Sequence, residues 1–192
     1  MRIIAGKYKG RLIQFPKQIR PTQDKVRQSI FDVLASVVKG SRVLDIFAGS
    51  GALGLEALSR GASGVWFIDI DRKCSLIIDK NLEKLGITKI DSVDIRNFTN
   101  DAFKAIKILQ KKKERFDIVF LDPPYYKGLA KKALKTLAES GILARQSFVV
   151  VEYSKKDDLG VCPEGLIPKK VIDYGDIKVS FFLQQKAPRP KP

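Results

Sequence analysis

The chain has 192 residues, 44% of them hydrophobic, and its 36 Lys+Arg against 21 Asp+Glu give a formal net charge of +15. That length and apolar content suit one domain with a sizeable core and leave little room for two. The charge favours polyanionic partners, chiefly nucleic acid, although composition alone leaves a generally basic surface of solvated lysines as the alternative. Histidine is absent, which removes the commonest general base and the commonest metal ligand. Cys74 and Cys162 are far apart and lack C-x-x-C spacing, so neither a zinc site nor a disulfide framework is expected, and a reduced, cytoplasmic compartment fits. No apolar run approaches the roughly 18 residues of a membrane span, and neither a metal nor a membrane is an expected partner.

In chain order, residues 2–15 place two short apolar runs, Ile3-Ile4 and Leu12-Ile13, around GKYKGR, which predicts a basic β-hairpin. The following segment has Val26, Ile30, Val33, Leu34 and Val37 at helical spacing, with Thr22 as its N-cap. Residues 1–40 are therefore expected to form an appendage ahead of a catalytic sheet over 41–185. From Arg42 the patterns alternate: strands at 42–46, 64–69, 90–94, 116–121 and 147–152, and helices at 51–59, 72–85, 99–110 and 128–139. That rhythm predicts parallel βαβ units. The runs 169–173 and 177–184, joined by Tyr174-Gly175-Asp176 with no helix between, predict a closing antiparallel hairpin. Residues 1–185 thus read as a single α/β domain with a seven-stranded, mostly parallel, Rossmann-like sheet. The tail 186–192, KAPRPKP, is expected to be disordered. No surplus amphipathic element calls for a second copy, so a monomer is expected.

The chain is organised around Phe116 to Tyr125, FDIVFLDPPY. Four of the five residues before Asp122 are apolar, as in a strand buried on both faces. Pro123 and Pro124 cannot donate to a sheet ladder, so Asp122 should sit where the strand opens into a loop. In an open parallel sheet that carboxyl end is where ligands bind. A carboxylate, two prolines and the Tyr125 ring fixed there suit a flat base carrying an exocyclic amine; the plainer alternative is a proline turn that merely ends a strand.

The first sheet strand ends in DIFAGSGALG, where Gly49, Gly51 and Gly54 satisfy G-x-G-x-x-G before a helix, and Asp69 ends the next strand. This is also the fingerprint of a dinucleotide site, so the glycines alone indicate an adenosine-containing cofactor without saying which. Asp69 can accept from both ribose hydroxyls. Asp45 is placed to hold the amino group of a methionine moiety, or else to cap the loop. Asp94, read as the end of the third strand, is placed to accept from an adenine amino group, or else is a turn residue. Asp71 reads as the N-cap of the next helix. Acidic residues lining the site suit the cationic sulfonium and ammonium of S-adenosyl-L-methionine better than a pyrophosphate dianion. The candidate cofactor residues are Thr22, Asp45, Phe47, Ala48, Gly49, Ser50, Gly51, Gly54, Asp69, Ile70, Asp94, Ile95 and Asp122.

With DIFAGSGALG and a downstream DPPY, the chain resembles the amino-methyltransferases. IIAGKYKGR, RPTQDKVRQSIFDVL, LDIFAGSGALGLEALSRGA, FIDID and VFLDPPY together resemble the bacterial RsmD family over nearly the whole chain. The resemblance implies a class I S-adenosylmethionine-dependent methyltransferase acting on N2 of guanine 966 in 16S ribosomal RNA, in the small subunit or an assembly intermediate. It also implies catalytic roles for Asp122, Pro123, Pro124 and Tyr125, and that the segment around Thr22 and Asp24 closes over the cofactor. The family's ribose acid is often Glu where this chain has Asp69, which keeps the acceptor. Lys7, Lys9, Arg11, Arg20, Lys25 and Arg27 are the candidate RNA phosphate contacts, against surface cations with no specific task. Rival readings are a DNA adenine-N6 methyltransferase, a noncatalytic RNA-binding assembly factor and an NAD-dependent dehydrogenase.

Overall fold

A computed structural model describes residues 1–15, 24–87 and 93–185, which leaves the sequence expectations for Arg20, Thr22 and the tail outside the described residues. By compactness the chain divides into two units, Met1–Asp101 and Ala102–Pro192.

The first unit holds helix α1 (Asp24–Val33), strand β1 (Arg42–Ile46), helix α2 (Ala52–Ser59), strand β2 (Gly64–Asp69), helix α3 (Arg72–Lys84) and strand β3 (Asp94–Thr99). Its strands are parallel in the order β3-β2-β1. Val43, Leu44, Ile46, Val65 and Phe67 have no exposed surface or almost none, as near-continuous apolar strands between two helical layers should. Helix α1 stops at Val33, short of the expected Val37, and the turn beyond it brings Leu34 and Val38 into the core.

The second unit holds helix α4 (Ala102–Lys111), strand β4 (Phe116–Leu121), helix α5 (Leu129–Ser140) and strands β5 (Leu143–Ser154), β6 (Leu166–Tyr174) and β7 (Ile177–Gln184). Its strand order is β4-β5-β7-β6, with β4 and β5 parallel and the last two pairings antiparallel. Phe116, Ile118, Val119, Phe120 and Leu121 are at most 1% exposed, so β4 is buried on both faces as its composition requires. Strand β5 begins earlier than expected because Gln146 takes a left-handed φ of 61°, within a register shift that lets Leu143 still pair with Phe116. Strand β6 likewise runs through Pro168, at a register shift on an edge strand where a missing N–H costs no ladder bond. The seven strands, in the order β3-β2-β1-β4-β5-β7-β6, their helices and the closing hairpin make the expected α/β architecture. Among the described residues no helix is long and apolar enough to cross a membrane.

The expected N-terminal hairpin is present: Arg2 bridges Leu12 in antiparallel fashion, Ile3 N–H donates to the Arg11 carbonyl at 2.9 Å, Gly10 N–H to the Ile3 carbonyl at 2.9 Å and Ile13 N–H to the Met1 carbonyl at 3.0 Å. This hairpin lies as a strap along α2, where backbone donors not used within it find partners. Ile4 N–H and Ala5 N–H donate to the two carboxylate oxygens of Glu56 at 2.8 and 3.0 Å. Lys7 N–H donates to the Ser59 carbonyl at 2.7 Å, and Tyr8 N–H to Ser59 Oγ at 3.0 Å. Ile3 and Ile13 are buried while Leu12 faces outward. This cover explains why every residue of α2 is buried. Arg27, expected among the RNA contacts, is 1% exposed: its Nη2 donates to the Arg2 carbonyl at 2.6 Å and to Asp24 Oδ1 at 3.1 Å. Burial lowers its pKa against the opposing charges of Asp24 and Glu56. It ties the strap to α1 and is sealed from phosphate.

Strand β3 corrects a second expectation. It spans Asp94–Thr99 in place of 90–94, with Gly64 paired to Asp94 and Asp69 to Thr99. Asp94 therefore begins the strand, at the opposite end from Asp69. There its carboxylate accepts from Trp66 Nε1 at 2.8 Å and Arg96 Nε at 3.0 Å, and Arg42 stands 3.5 Å away. Both guanidiniums lie over the Trp66 ring, Arg96 at 4.1 Å and Arg42 at 5.4 Å. Burial alone would raise the Asp94 pKa; the bonds from Trp66 and Arg96 and the charges of Arg96 and Arg42 outweigh it and hold the carboxyl below its ordinary range.

Two expectations follow from this packing. Gly6 has φ 82° and an added Cβ would overlap the Ser59 carbonyl, so Gly6→Ala should lower the free energy of unfolding in urea by about 2 kcal/mol or more. A loss no larger than that of an exposed-loop substitution would mean that the strap is not docked this way. Because its folded-state pKa is lowered, Asp94 stabilises the fold fully above the ordinary aspartate value, about 4, and that contribution is lost as pH falls through the lower folded value. Asp94→Asn should therefore show a shallower acid fall in stability below about pH 4 than the parent; superimposable slopes would count against the cluster.

Candidate active site

Strand β1 ends at Ile46, and the chain turns through Phe47 to Gly51 into α2. Phe47, Gly49 and Gly51 have φ of 63°, 55° and 75°. Glycine takes this conformation freely, whereas for Phe47 it costs on the order of 1–3 kcal/mol and persists only when surrounding bonds over-determine it. Those bonds are present. Ala48 N–H donates to the Ile68 carbonyl at 3.1 Å and Gly51 N–H to the Ala48 carbonyl at 2.7 Å. Gly49 N–H donates to Asp69 Oδ2 at 2.8 Å, and Gly54 N–H to Asp45 Oδ2 at 2.9 Å. The third glycine serves packing: a Cβ on Gly54 would overlap the Phe67 ring, so α2 lies directly on β2.

Each expected cofactor residue of this unit can now be placed. Asp45 is 2% exposed and caps the loop through Gly54, the plainer of its two expected roles. Asp69 sits at the carboxyl end of β2, where its Oδ1 also accepts from Asp71 N–H at 2.8 Å. A carboxylate offers about four lone-pair sites, so beyond these two backbone donors and the Cys74 thiol Asp69 keeps capacity to accept from a hydroxyl. Ile70, 71% exposed, stands beside it as a bare apolar face. Asp71 caps α3 by accepting from Lys73 N–H at 2.8 Å, as expected. Asp94 and Ile95 lie at the amino end of β3 and are not brought to the loop. The residues that do reach the carboxyl end of that strand are Asn100, whose N–H donates to the Asp69 carbonyl at 2.8 Å, and Asp101, immediately before α4. An acid directly ahead of a helix was the available signal, hidden because the strand was placed too early.

Two buried groups were not anticipated. Asn81 on α3, with no exposed surface, contacts the loop at the Ser50 carbonyl, 3.1 Å from its Nδ2. Cys74 is buried beside the loop's acid; burial, with the charges of Asp69 and Asp71 and a hydrogen bond to Asp69, pushes its thiol up to about 12. It is held as an inert neutral thiol.

In the second unit Asp122 follows directly on β4 and is half-buried, Pro123 is buried, Pro124 is exposed and Tyr125 is half-buried. The Tyr125 hydroxyl donates to Glu152 Oε1 at 2.8 Å, and Glu152, on β5, is 3% exposed. The bond fixes the ring before any ligand arrives. Tyr126 extends the aromatic surface: its ring centroid is 6.2 Å from that of Tyr125 at an interplanar angle of 79°, and it is 67% exposed. Its backbone, at φ 62°, is held by Asp157 Oδ2, which accepts its N–H at 3.1 Å. Glu152 had a signal in the sequence, a lone acid inside the apolar run FVVVEY, and Tyr126 had none beyond its neighbour.

Of the candidate RNA contacts, Lys7, Lys9, Arg11 and Lys25 are exposed and Arg27 is not. The turn that carries Lys7 and Lys9 docks at Ser59, the far end of α2 from the glycine loop; eight helical residues span about 12 Å. A cleft of about 300 Å³ lined by Lys7, Tyr8, Leu58 and Ala62, among others, lies at that far end and is separate from the loop.

This geometry has close parallels. Ribosomal RNA small subunit methyltransferase D of Escherichia coli (strain K12) is 39% identical over 165 residues, spanning 85% of this chain and 79% of its own. Among solved structures, the Escherichia coli protein yhhF matches with a TM-score of 0.84 and 34% identity, over 96% of this chain and 98% of its own. An RNA methyltransferase from Salinibacter ruber, solved with S-adenosyl-L-homocysteine, shares the fold at a TM-score of 0.67 and 18% identity, over 87% of this chain and 95% of its own. The family described as Conserved hypothetical protein 95 matches residues 1–183, a span that takes in the strap, the glycine loop and the DPPY segment, and the chain belongs to that family, the RsmD family.

Proposed function

We propose that this S-adenosylmethionine-dependent methyltransferase of the RsmD family methylates the exocyclic N2 amine of one guanine in 16S ribosomal RNA, guanine 966 by family resemblance. The observation that carries the reading is the clamp after β4: Asp122 immediately beyond the strand, and Tyr125 held by Glu152 at 2.8 Å.

When bound, S-adenosylmethionine supplies an electrophilic methyl group. The residues that would hold it are those around the loop: Asp69 for the ribose hydroxyls, Ile70 against the adenine face, Asp101 in place of Asp94 for the adenine amine, and the negative charge of Asp45 beneath the loop. The guanine amine delocalises its lone pair into the ring and is a poor nucleophile. Asp122 and the Pro123 carbonyl each accept one of its N–H bonds, which aims the nitrogen and stabilises its developing positive charge. The displaced proton passes to Asp122 or to solvent, so the lack of histidine is no handicap. The Tyr125 ring stacks on the base, worth roughly 1–3 kcal/mol, comparable with the few kcal/mol needed to extrude it.

Transfer of radiolabelled methyl to small ribosomal subunits lacking the modification is the test. Label should appear on a guanine N2, and Asp122→Ala should lower the rate by roughly 100-fold or more, as loss of a group that stabilises transition-state charge does. Label on DNA adenine, or an Asp122→Ala rate equal to the parent's, would overturn the assignment. The exposed cations make a separate prediction. Reversing the charge of Lys7, Lys9 and Arg11 together should weaken RNA binding and flatten the slope of log affinity against log salt by up to about 2, at roughly 0.7 per lost contact on single strands. An unchanged slope would remove the turn from the RNA footprint.

A further inference from the structure

The strap is tied down at both ends, and its second tie reaches the cofactor loop. Gln14 N–H donates to Asn81 Oδ1 at 2.7 Å, and Asn81 Nδ2 donates to the Gln14 carbonyl at 2.9 Å and to the Ser50 carbonyl at 3.1 Å. A primary amide has two N–H donors and one carbonyl, so one buried side chain is shared between strap and loop. The Ser50–Gly51 peptide it holds is the loop's most easily rotated unit. On one side its carbonyl meets Asn81; on the other its N–H meets the Ala48 carbonyl at 2.7 Å. Gly51 has no Cβ to resist rotation.

We propose that Asn81 is a positioning residue that couples the N-terminal strap to the glycine loop, so that docking of the strap and binding of S-adenosylmethionine strengthen each other; the inference rests on the methyl-donor reading above. If the strap leaves, Asn81 loses the donor to its Oδ1 and the acceptor for one N–H. A polar side chain without its partners costs free energy until it is paired again, so the amide, no longer held by Gln14, turns to new partners, water among them, and releases Ser50. The loop is then free to rotate away from the shape that receives the cofactor. Linkage makes the effect reciprocal: whatever factor the docked strap adds to cofactor affinity, bound cofactor adds to strap docking. Since Lys7, Lys9 and Arg11 are on the strap, RNA phosphates that grip it would tighten the cofactor by the same route.

The test is hydrogen exchange with and without S-adenosylhomocysteine, beside its affinity by calorimetry. In the parent chain the ligand should slow exchange at the amides of Ile4, Ala5, Lys7 and Gln14, although three of these bond to α2 and none touches the loop. Asn81→Ala should weaken S-adenosylhomocysteine binding by about tenfold, within the usual range for coupled sites, and abolish the protection of the strap. Gln14→Pro removes the strap's donor at an exposed position, leaving Asn81 and the loop intact; it should have the same two effects, and it carries the test if Asn81→Ala does not fold. Ligand binding to the parent chain with no change in strap exchange, or parental affinity in Gln14→Pro, would overturn the coupling and leave the methyl-donor reading standing. No binding to the parent chain would overturn that reading and the coupling with it.

Discussion

The first unit depends on one buried carboxylate. Glu56 has no exposed surface and accepts three donors: the N–H groups of Ile4 and Ala5 and, at 2.8 Å, Arg60 Nε. An unpaired charge in that position would cost several kcal/mol; three charge-assisted bonds make it an anchor. The anchor has a consequence for packing. Helix α2 is apolar enough to need cover on every side, and the sheet supplies only one. The strap covers a further side, held in place by the lone acid the helix carries. The Arg60 guanidinium, 4.8 Å over the Phe31 ring, extends the same cluster to α1.

From that anchor the order passes to the loop that α2 begins. A left-handed Phe47 is unfavourable in isolation, and four hydrogen bonds converge to enforce it. Two come from carboxylates accepting backbone N–H groups, Asp45 from below the helix start and Asp69 from the neighbouring strand. The acids of this loop are thus first structural. Their fixed negative potential is also what a sulfonium ligand would meet, so preorganisation and recognition use the same atoms. The second unit repeats the principle with Glu152 and Asp157, each of which holds one of two tyrosines that stand nearly at right angles.

Legibility followed apolar content. Strands β1, β2 and β4 announce themselves because burial on both faces demands unbroken runs of Val, Ile, Leu and Phe, and their observed bounds match those read from the sequence. Strand β3 is polar, DIRNFT, because an edge strand has little to bury; the eye is drawn to the apolar residues ahead of it and the register slips. Asp94 then moves from one end of the sheet to the other, and Asp101 goes unseen. Arg27 illustrates a different blindness. In a chain of +15 every cation invites a phosphate, and charge alone does not separate the arginine on the inner face of α1 from Lys25 on the outer. The helical period does separate them, since Arg27 follows Val26 and precedes Ile30 by three. Asn81 is the hardest case: its two partners, Gln14 and Ser50, are 67 and 31 residues away, and a tertiary bridge of that kind leaves no local pattern.

The segments that resemble one family and those shared by many methyltransferases do different physical work. GSGALG and DPPY are widely shared, and they occupy the positions where cofactor and base would be handled. The RPT-x-D-x-VR segment together with LDxFAGSGALGLEALSRGA is the stretch that resembles the one family, and three residues at its end, Glu56, Ser59 and Arg60, seat the strap and support α1. Gly6, in IIAGKYKG, is its counterpart, a glycine because the Ser59 carbonyl occupies the space of a side chain. The strap is laid against the helix that follows directly on the glycine loop, and its backbone first satisfies the packing of that helix. In this chain the residues at the seam between strap and helix are fixed by packing: Glu56 and Ser59 accept the strap's backbone donors, and Gly6 leaves room for the Ser59 carbonyl.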